Sequence, residues 1–147
     1  MKRISLTQGQ YAIVDDDMFD YLNQFKWFAN WNKDTQSFYA WRKSKKKDDK
    51  RHTIPMAREI LGLKQGDKHQ GDHKDHNTLD NRMMNLRIVT SQQNNWNRKS
   101  PKGYSWNRGT FQAQIMASGK SIFLGRFHTT KEAHNAYLKA KEIYHKF

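Results

Sequence analysis

Residues 70–99 read QGDHKDHNTLDNRMMNLRIVTSQQNNWNRK, and their pattern divides the stretch into four parts. A first strand ends near Asp75, and a polar loop rich in Asn and Asp follows. Leu86 to Val89 form a second strand, and a helix starts after Thr90, whose hydroxyl suits the N-cap position. A ββα hairpin of this kind returns the end of the first strand to the side of the helix. Asp72 and His73 can then face Asn94 despite their distance in sequence, and three polar side chains converge. Alternation along the first strand sets His73 and Asp75 on one face and Asp72 and His76 on the other, unless a bulge or the strand end breaks the rule.

Outward from this stretch, the N-terminal side reads as small β-rich structure. Ile4, Leu6, Ala12 and Val14 flank the turn-prone Thr7-Gln8-Gly9-Gln10, which predicts a hairpin. Asp15 to Asp17 mark a helix start, and Phe19, Leu22 and Phe25 supply its apolar stripe. A second hairpin is expected around Asn32 to Ser37, with Trp27, Trp31, Phe38, Tyr39 and Trp41 assigned to packing, base stacking being the other use of such rings. The run Lys43 to His52 contains no apolar residue and is expected to be a mobile loop able to touch phosphate. Pro55 opens a short helix, Met56 to Leu61, and Gly62 stops it.

Composition narrows the partner. Lys and Arg total 27 against 14 Asp and Glu, a formal charge of +13 over 147 residues, which suits a polyanion better than a small acidic substrate. Coating nucleic acid without chemistry would explain the same charge. No run approaches the roughly 18 apolar residues of a spanning helix, and MKRISLTQGQ lacks the apolar core of a signal peptide, so a soluble cytoplasmic protein with no membrane partner is expected. Cysteine is absent. Thiolate catalysis, disulfides and thiolate metal ligation are therefore excluded, and a metal held by His, Asp, Glu or Asn favours a hard ion such as Mg²⁺.

The pairs Asp72-His73 and Asn85-Leu86, followed by Asn94 on the helix, are spaced as in phage HNH homing endonucleases, which this chain resembles. The opening ISLTQGQYAIVDDDMFDYLNQFKW, residues 4–27, is similar to the N-terminal segment of the same enzymes, and the resemblance spans nearly the whole chain. It implies an α+β fold with an HNH domain over residues 1–99 and a ββα-metal core at about 68–99. It further implies that His73 is the general base, that Asp72 and Asn94 hold one divalent ion, and that Asn85 pins the loop and orients His73. The ion would be Mg²⁺, with Mn²⁺ able to substitute. Double-stranded DNA would be the substrate, met by a monomer in a phage-infected bacterial cytoplasm. A monomer with one metal site nicks one strand, so a homing or free-standing nicking endonuclease is expected.

The chemistry gives separate reasons for these residue types. Hydrolysing a phosphodiester takes an activated water on one side and charge stabilisation at the leaving oxygen on the other. Histidine has the right ordinary pKa for the first task and a hard cation suits the second. Arg87, in the second strand, offers a phosphate contact or is an ordinary surface arginine.

Three positions depart from the family pattern. Asparagine replaces the last histidine of the motif, as in many phage members. His76 stands where relatives usually carry Gly, and Met56-Ala57-Arg58 stands for Met-His-Arg. These departures keep open a catalytically degenerate, sequence-specific DNA-binding protein. The cluster of His69, His73 and His76 with Asp67, Asp72 and Asp75 also admits an exposed polar loop or a structural metal site.

After the linker Asn97 to Gly103, strands are expected at Tyr104 to Arg108, Thr110 to Ala117 and Lys120 to Phe127, the last two joined at Ser118-Gly119. Thr129 and Glu132 form a capping box for a closing helix with an Ala133, Ala136, Tyr137, Ala140 and Tyr144 stripe. Phe111, Ala113 and Ile115 should face that helix, leaving Gln112, Gln114 and Met116 open. KGYSWNRGTFQAQI and GKSIFLGRFHTTKEAHNAYLKA resemble the AP2 DNA-binding domain, which implies a second domain over residues 100–147 whose three-stranded sheet enters the major groove. The candidate DNA contacts are Ser105, Asn107, Arg108, Gln112 and Gln114 for bases, with Arg98, Lys102, Lys120 and Arg126 for phosphate. A sheet that only packs on the catalytic lobe is the alternative. Three function classes remain: nuclease, non-catalytic DNA-binding protein, and an RNA binder with stacking aromatics.

Overall fold

The computed structural model describes residues 1–45, 50–97 and 101–146. The chain is α+β and forms two compact units, Met1–Asn94 and Asn95–Phe147. No helix among the described residues is long and apolar enough to cross a membrane.

In the first unit, β1 (Lys2–Ser5) and β2 (Tyr11–Val14) form the expected antiparallel hairpin, and α1 (Asp16–Asn23) follows. Alternation drives Ile4, Ala12 and Val14 inward, where they meet Leu22 of α1. A second hairpin, β3 (Trp27–Asn32) and β4 (Ser37–Lys43), gains a third strand, β5 (Thr53–Pro55), that the sequence reading did not anticipate. Three residues are too few for a visible alternation. Of the five aromatics assigned to packing, only Trp27 is buried, its indole N–H donating to Leu22 O at 2.8 Å. Phe38, Tyr39 and Trp41 are half-buried and Trp31 is exposed, so the expectation holds fully for one ring.

The ends of the Lys43–His52 run are tied to each other, Ser44 N–H donating to His52 O at 2.8 Å; residues 46–49 lie outside the described residues. Helix α2 (Met56–Ile60) starts after Pro55 and buries Met56, Ala57 and Ile60. Gly71 meets it closely: a Cβ there would lie 3.1 Å from Leu61 Cδ1 and 3.4 Å from Ala57 Cβ. This approach sets α2 against β6 (Gln70–His73), which pairs with β7 (Leu86–Val89) and precedes α3 (Ser91–Trp96). Strand β6 ends at His73, two residues before the expected Asp75, because Lys74 to Asp80 turn back on themselves through Asx turns such as Asn77 N–H to Asp75 Oδ1 at 2.8 Å.

The second unit is a sheet in the order β10-β9-β8, antiparallel throughout, with α4 (Thr130–Tyr144) on one face. Strands β8 (Tyr104–Asn107), β9 (Thr110–Ala117) and β10 (Lys120–Phe127) are joined by Arg108-Gly109 and Ser118-Gly119. All four linking residues have positive φ, as a two-residue type I′ turn demands. Ala113, Ile115 and Ala117 are buried on the helix side with Ala133, Tyr137 and Ala140, and both bonds of the Thr129/Glu132 capping box form. Gly103 has φ +70, and a Cβ there would overlap the Tyr137 ring. A bulge at Leu124 interrupts β10: Phe123 pairs with Gln114, but Gly125 pairs with Ala113. Leu124 packs against the core, on the side of Ile122, and the extra residue turns Arg126 onto the open face beside Gln112, a switch that strict alternation could not foresee.

Candidate active site

The ladder of β6 and β7 is unbroken, pairing Gln70 with Val89, Gly71 with Ile88, Asp72 with Arg87 and His73 with Leu86. Gln70 and Asp72 therefore share one face, and His73 lies on the other. Asn94 of α3 joins the first face, since its Nδ2 donates to Gln70 Oε1 at 2.6 Å. The helix is aimed there by its N-terminus, where Thr90 N–H donates to Gln93 Oε1 at 2.9 Å and Gln93 N–H to Thr90 Oγ1 at 3.2 Å. Asp72 is buried, and its Oδ2 accepts from Arg87 Nε at 2.8 Å. Arg87, weighed between a phosphate contact and a plain surface role, thus stands as the ion-pair partner of Asp72.

His73 is 6% exposed, and its ring meets Tyr39 edge-on at 6.2 Å. Its Nε2 lies 3.2 Å from Asn81 Oδ1. Asn81 Nδ2 donates to Leu79 O at 3.3 Å, which turns the amide oxygen toward the imidazole. An amide oxygen only accepts, so the network assigns the proton to Nε2 and the lone pair to Nδ1. Burial pushes the His73 imidazole below its ordinary pKa, while the Asn81 contact and the carboxylates of Asp72, Asp75 and Asp80 pull the other way.

The loop between the strands is held at both ends. Asn85 Oδ1 accepts from Asp75 N–H at 3.1 Å and its Nδ2 donates to Asp80 O at 2.9 Å, while Lys74 N–H donates to Asn85 O at 2.9 Å. The N-terminal hairpin grips the middle: Ile13 N–H donates to Leu79 O, and Asn81 N–H to Ile13 O, both at 2.8 Å. Arg82 bonds the carboxyl of buried Asp80 and holds it below the ordinary carboxylate range. Neither Asn81 nor the grip from Ile13 was anticipated. Nothing in the sequence separates Asn81 from Asn77 in the same polar loop; only the docking of the loop singles it out. His76 takes a φ of +64, a left-handed conformation that favours glycine.

Among the described residues no three His, Cys, Asp or Glu come together to hold a metal, so the six-residue His and Asp cluster does not assemble. The carboxylate of Asp72 and the carboxamide of Asn94 share one strand face, and a donor set of this kind suits a hard divalent ion completed by water and phosphate oxygens.

In the second unit, Ser105, Asn107, Gln112, Gln114 and Arg126 share the open face of the sheet, and Arg108 sits at the tip of the β8–β9 turn. Lys102 and Lys120 are exposed off that face, and Arg98 lies outside the described residues. Asn107 Nδ2 donates to Gln112 Oε1 at 2.9 Å, which orients both amides.

Residues 64–96 match the family model described as HNH endonuclease, a span that runs from just before β6 to the end of α3. The match supports a nuclease activity and covers less than a quarter of the chain. No curated protein and no solved structure matches the chain.

Proposed function

We propose that the chain is a metal-dependent HNH endonuclease that hydrolyses a phosphodiester of double-stranded DNA, nicking one strand. The observation that carries this reading is the coincidence of the matched span, 64–96, with the β6, loop, β7 and α3 unit bearing Asp72, His73, Asn85 and Asn94. In this reading His73 takes a proton from the attacking water at its Nδ1, and burial keeps it neutral and ready to do so at pH 7. Asn81 holds the tautomer, and Asn85 ties the loop so that the imidazole keeps one orientation. Asp72 and Asn94 would hold Mg²⁺, or Mn²⁺ in its place. Such an ion polarises the phosphate and stabilises charge at the leaving oxygen. Arg87 fixes the Asp72 carboxylate through its Nε and adds positive charge beside the phosphate.

The second unit would act as an AP2-like DNA-binding module, placing the nuclease on its target through the open sheet face, with Lys102 and Lys120 meeting phosphate. A homing or free-standing phage enzyme fits this combination. The enclosure of His73 and the departures at Ala57 and His76 favour a second reading, a sequence-specific DNA-binding protein that has lost cleavage. Incubation of supercoiled plasmid at low salt, with and without Mg²⁺ or Mn²⁺, separates the two: metal-dependent nicked product supports the nuclease, and binding without conversion supports the other.

A further inference from the structure

The open face of the second unit carries two apolar side chains that amide and phosphate contacts leave unused. Phe123 is 57% exposed and Met116 54%, although the helix face of the same sheet buries Ala113 and Ile115. Register puts Phe123 directly opposite Gln114, Met116 opposite Ser121, and Gln112 between Ser105 and Arg126. The sequence contains no carboxylate between Asp80 and Glu132, so no acidic side chain of this sheet repels a phosphate backbone.

This pattern matches the edge of an A·T pair in the major groove. Adenine offers N7 as acceptor and its N6 amino group as donor, which a glutamine amide meets in a bidentate way, and thymine offers its 5-methyl group on the same pair. Cross-strand partners on one sheet face stand about 5 Å apart, so an amide and a ring at Gln114 and Phe123 can meet the two bases of one pair. Met116, two residues along β9 on the same face, supplies an apolar contact for the adjoining step. Arg126 reaches this face only because of the bulge at Leu124.

We propose that Gln114, Phe123 and Met116 make the second unit a reader of thymine in duplex DNA, selecting A·T-containing sites through the 5-methyl group. This rests on the reading of that unit as a DNA-binding module. Stacking on single strands would need a series of ring platforms. The open face has one ring, Phe123, since Trp106, 64% exposed, pairs with Phe111 on the opposite face.

The test is binding of the full chain in EDTA, by competition with three alternating duplexes, poly(dA-dT), poly(dA-dU) and poly(dG-dC). Poly(dA-dU) differs from poly(dA-dT) only by the missing methyl. The wild type should bind poly(dA-dT) more tightly than poly(dA-dU), by about fourfold for each methyl buried. Phe123→Ala should narrow the gap between the two A-containing duplexes, Phe123→Ala combined with Met116→Ala should bring them to equal affinity, and Gln114→Ala should narrow the gap to poly(dG-dC). Equal binding of the thymine and uracil duplexes by the wild type overturns the proposal, as does methyl sensitivity that is undiminished in Phe123→Ala or that survives when both Phe123 and Met116 are alanine. Tighter binding of single-stranded poly(dT) than of duplex, lost in Phe123→Ala, overturns it in favour of stacking. Failure to bind any duplex removes the DNA-binding module reading as well, whereas methyl-insensitive duplex binding removes only this proposal.

Discussion

His73 Nε2 meets Asn81 Oδ1 at 3.2 Å, and the two residues are 6% and 2% exposed. Asn81 is in turn held by the N-terminal hairpin, its N–H donating to Ile13 O, so the contact ties the imidazole to a part of the chain remote in sequence. Truncating Asn81 to Ala removes the acceptor at Nε2 and weakens the hold on the tautomer and orientation of the imidazole. Cleavage should fall by about 10- to 100-fold, the usual cost of losing a group that orients a site residue, with DNA affinity in EDTA unchanged. Asn81→Asp places a carboxylate on the ring and favours the imidazolium, so the acidic limb of the rate profile should move to higher pH. A pH–rate series on the two variants and the wild type checks both statements.

Burial lowers the folded-state pKa of His73 below its ordinary value of about 6.5. As pH falls through that value the unfolded chain takes up the proton first. His73 therefore costs no stability above about pH 6.5, and stability is lost progressively as pH drops from there toward the folded pKa. Urea midpoints at pH 7.5 and 5.5 should differ more for the wild type than for His73→Gln, which has no imidazole to protonate.

His76 sits at φ +64 where glycine is free of the Cβ penalty. His76→Gly should leave the melting temperature unchanged or raise it, within about 1 kcal/mol, because relief of strain is offset by a more flexible unfolded chain. Cleavage should persist, since the His76 side chain is exposed. A thermal melt with a parallel plasmid assay reads both.

Gly103→Ala drives a methyl group into the Tyr137 ring at a positive φ. It should destabilise the second unit by about 1–3 kcal/mol or more. Thr129→Ala removes one half of the capping box of α4 and should cost about 1 kcal/mol. Denaturant titration of the full chain, followed by near-ultraviolet signals, ranks the two.

Much of this arrangement was legible in residue order. Periodicity located the first hairpin, the Leu86–Val89 strand, the Thr90 start of α3 and the capped C-terminal helix, because each rests on local patterns of two to four residues. Strand β5, the bulge at Leu124 and the exposure of Trp31 depend on which segments pair and cover one another. The candidate site divides the same way. Asp72, His73 and Asn94 could be named from their chemistry and spacing, but the Arg87 ion pair, the Gln70 contact and the Asn81 partner follow from register and docking.

The central claim, that His73 on this ββα unit serves as the base of a metal-dependent nuclease, is tested most directly by one paired measurement. Wild type and His73→Ala, each shown to be folded and to bind duplex equally in EDTA, are given supercoiled plasmid and Mg²⁺. Nicked product from the wild type, lost in the variant, is the predicted result. Equal nicking by both, or none by either alongside intact binding, would contradict the account.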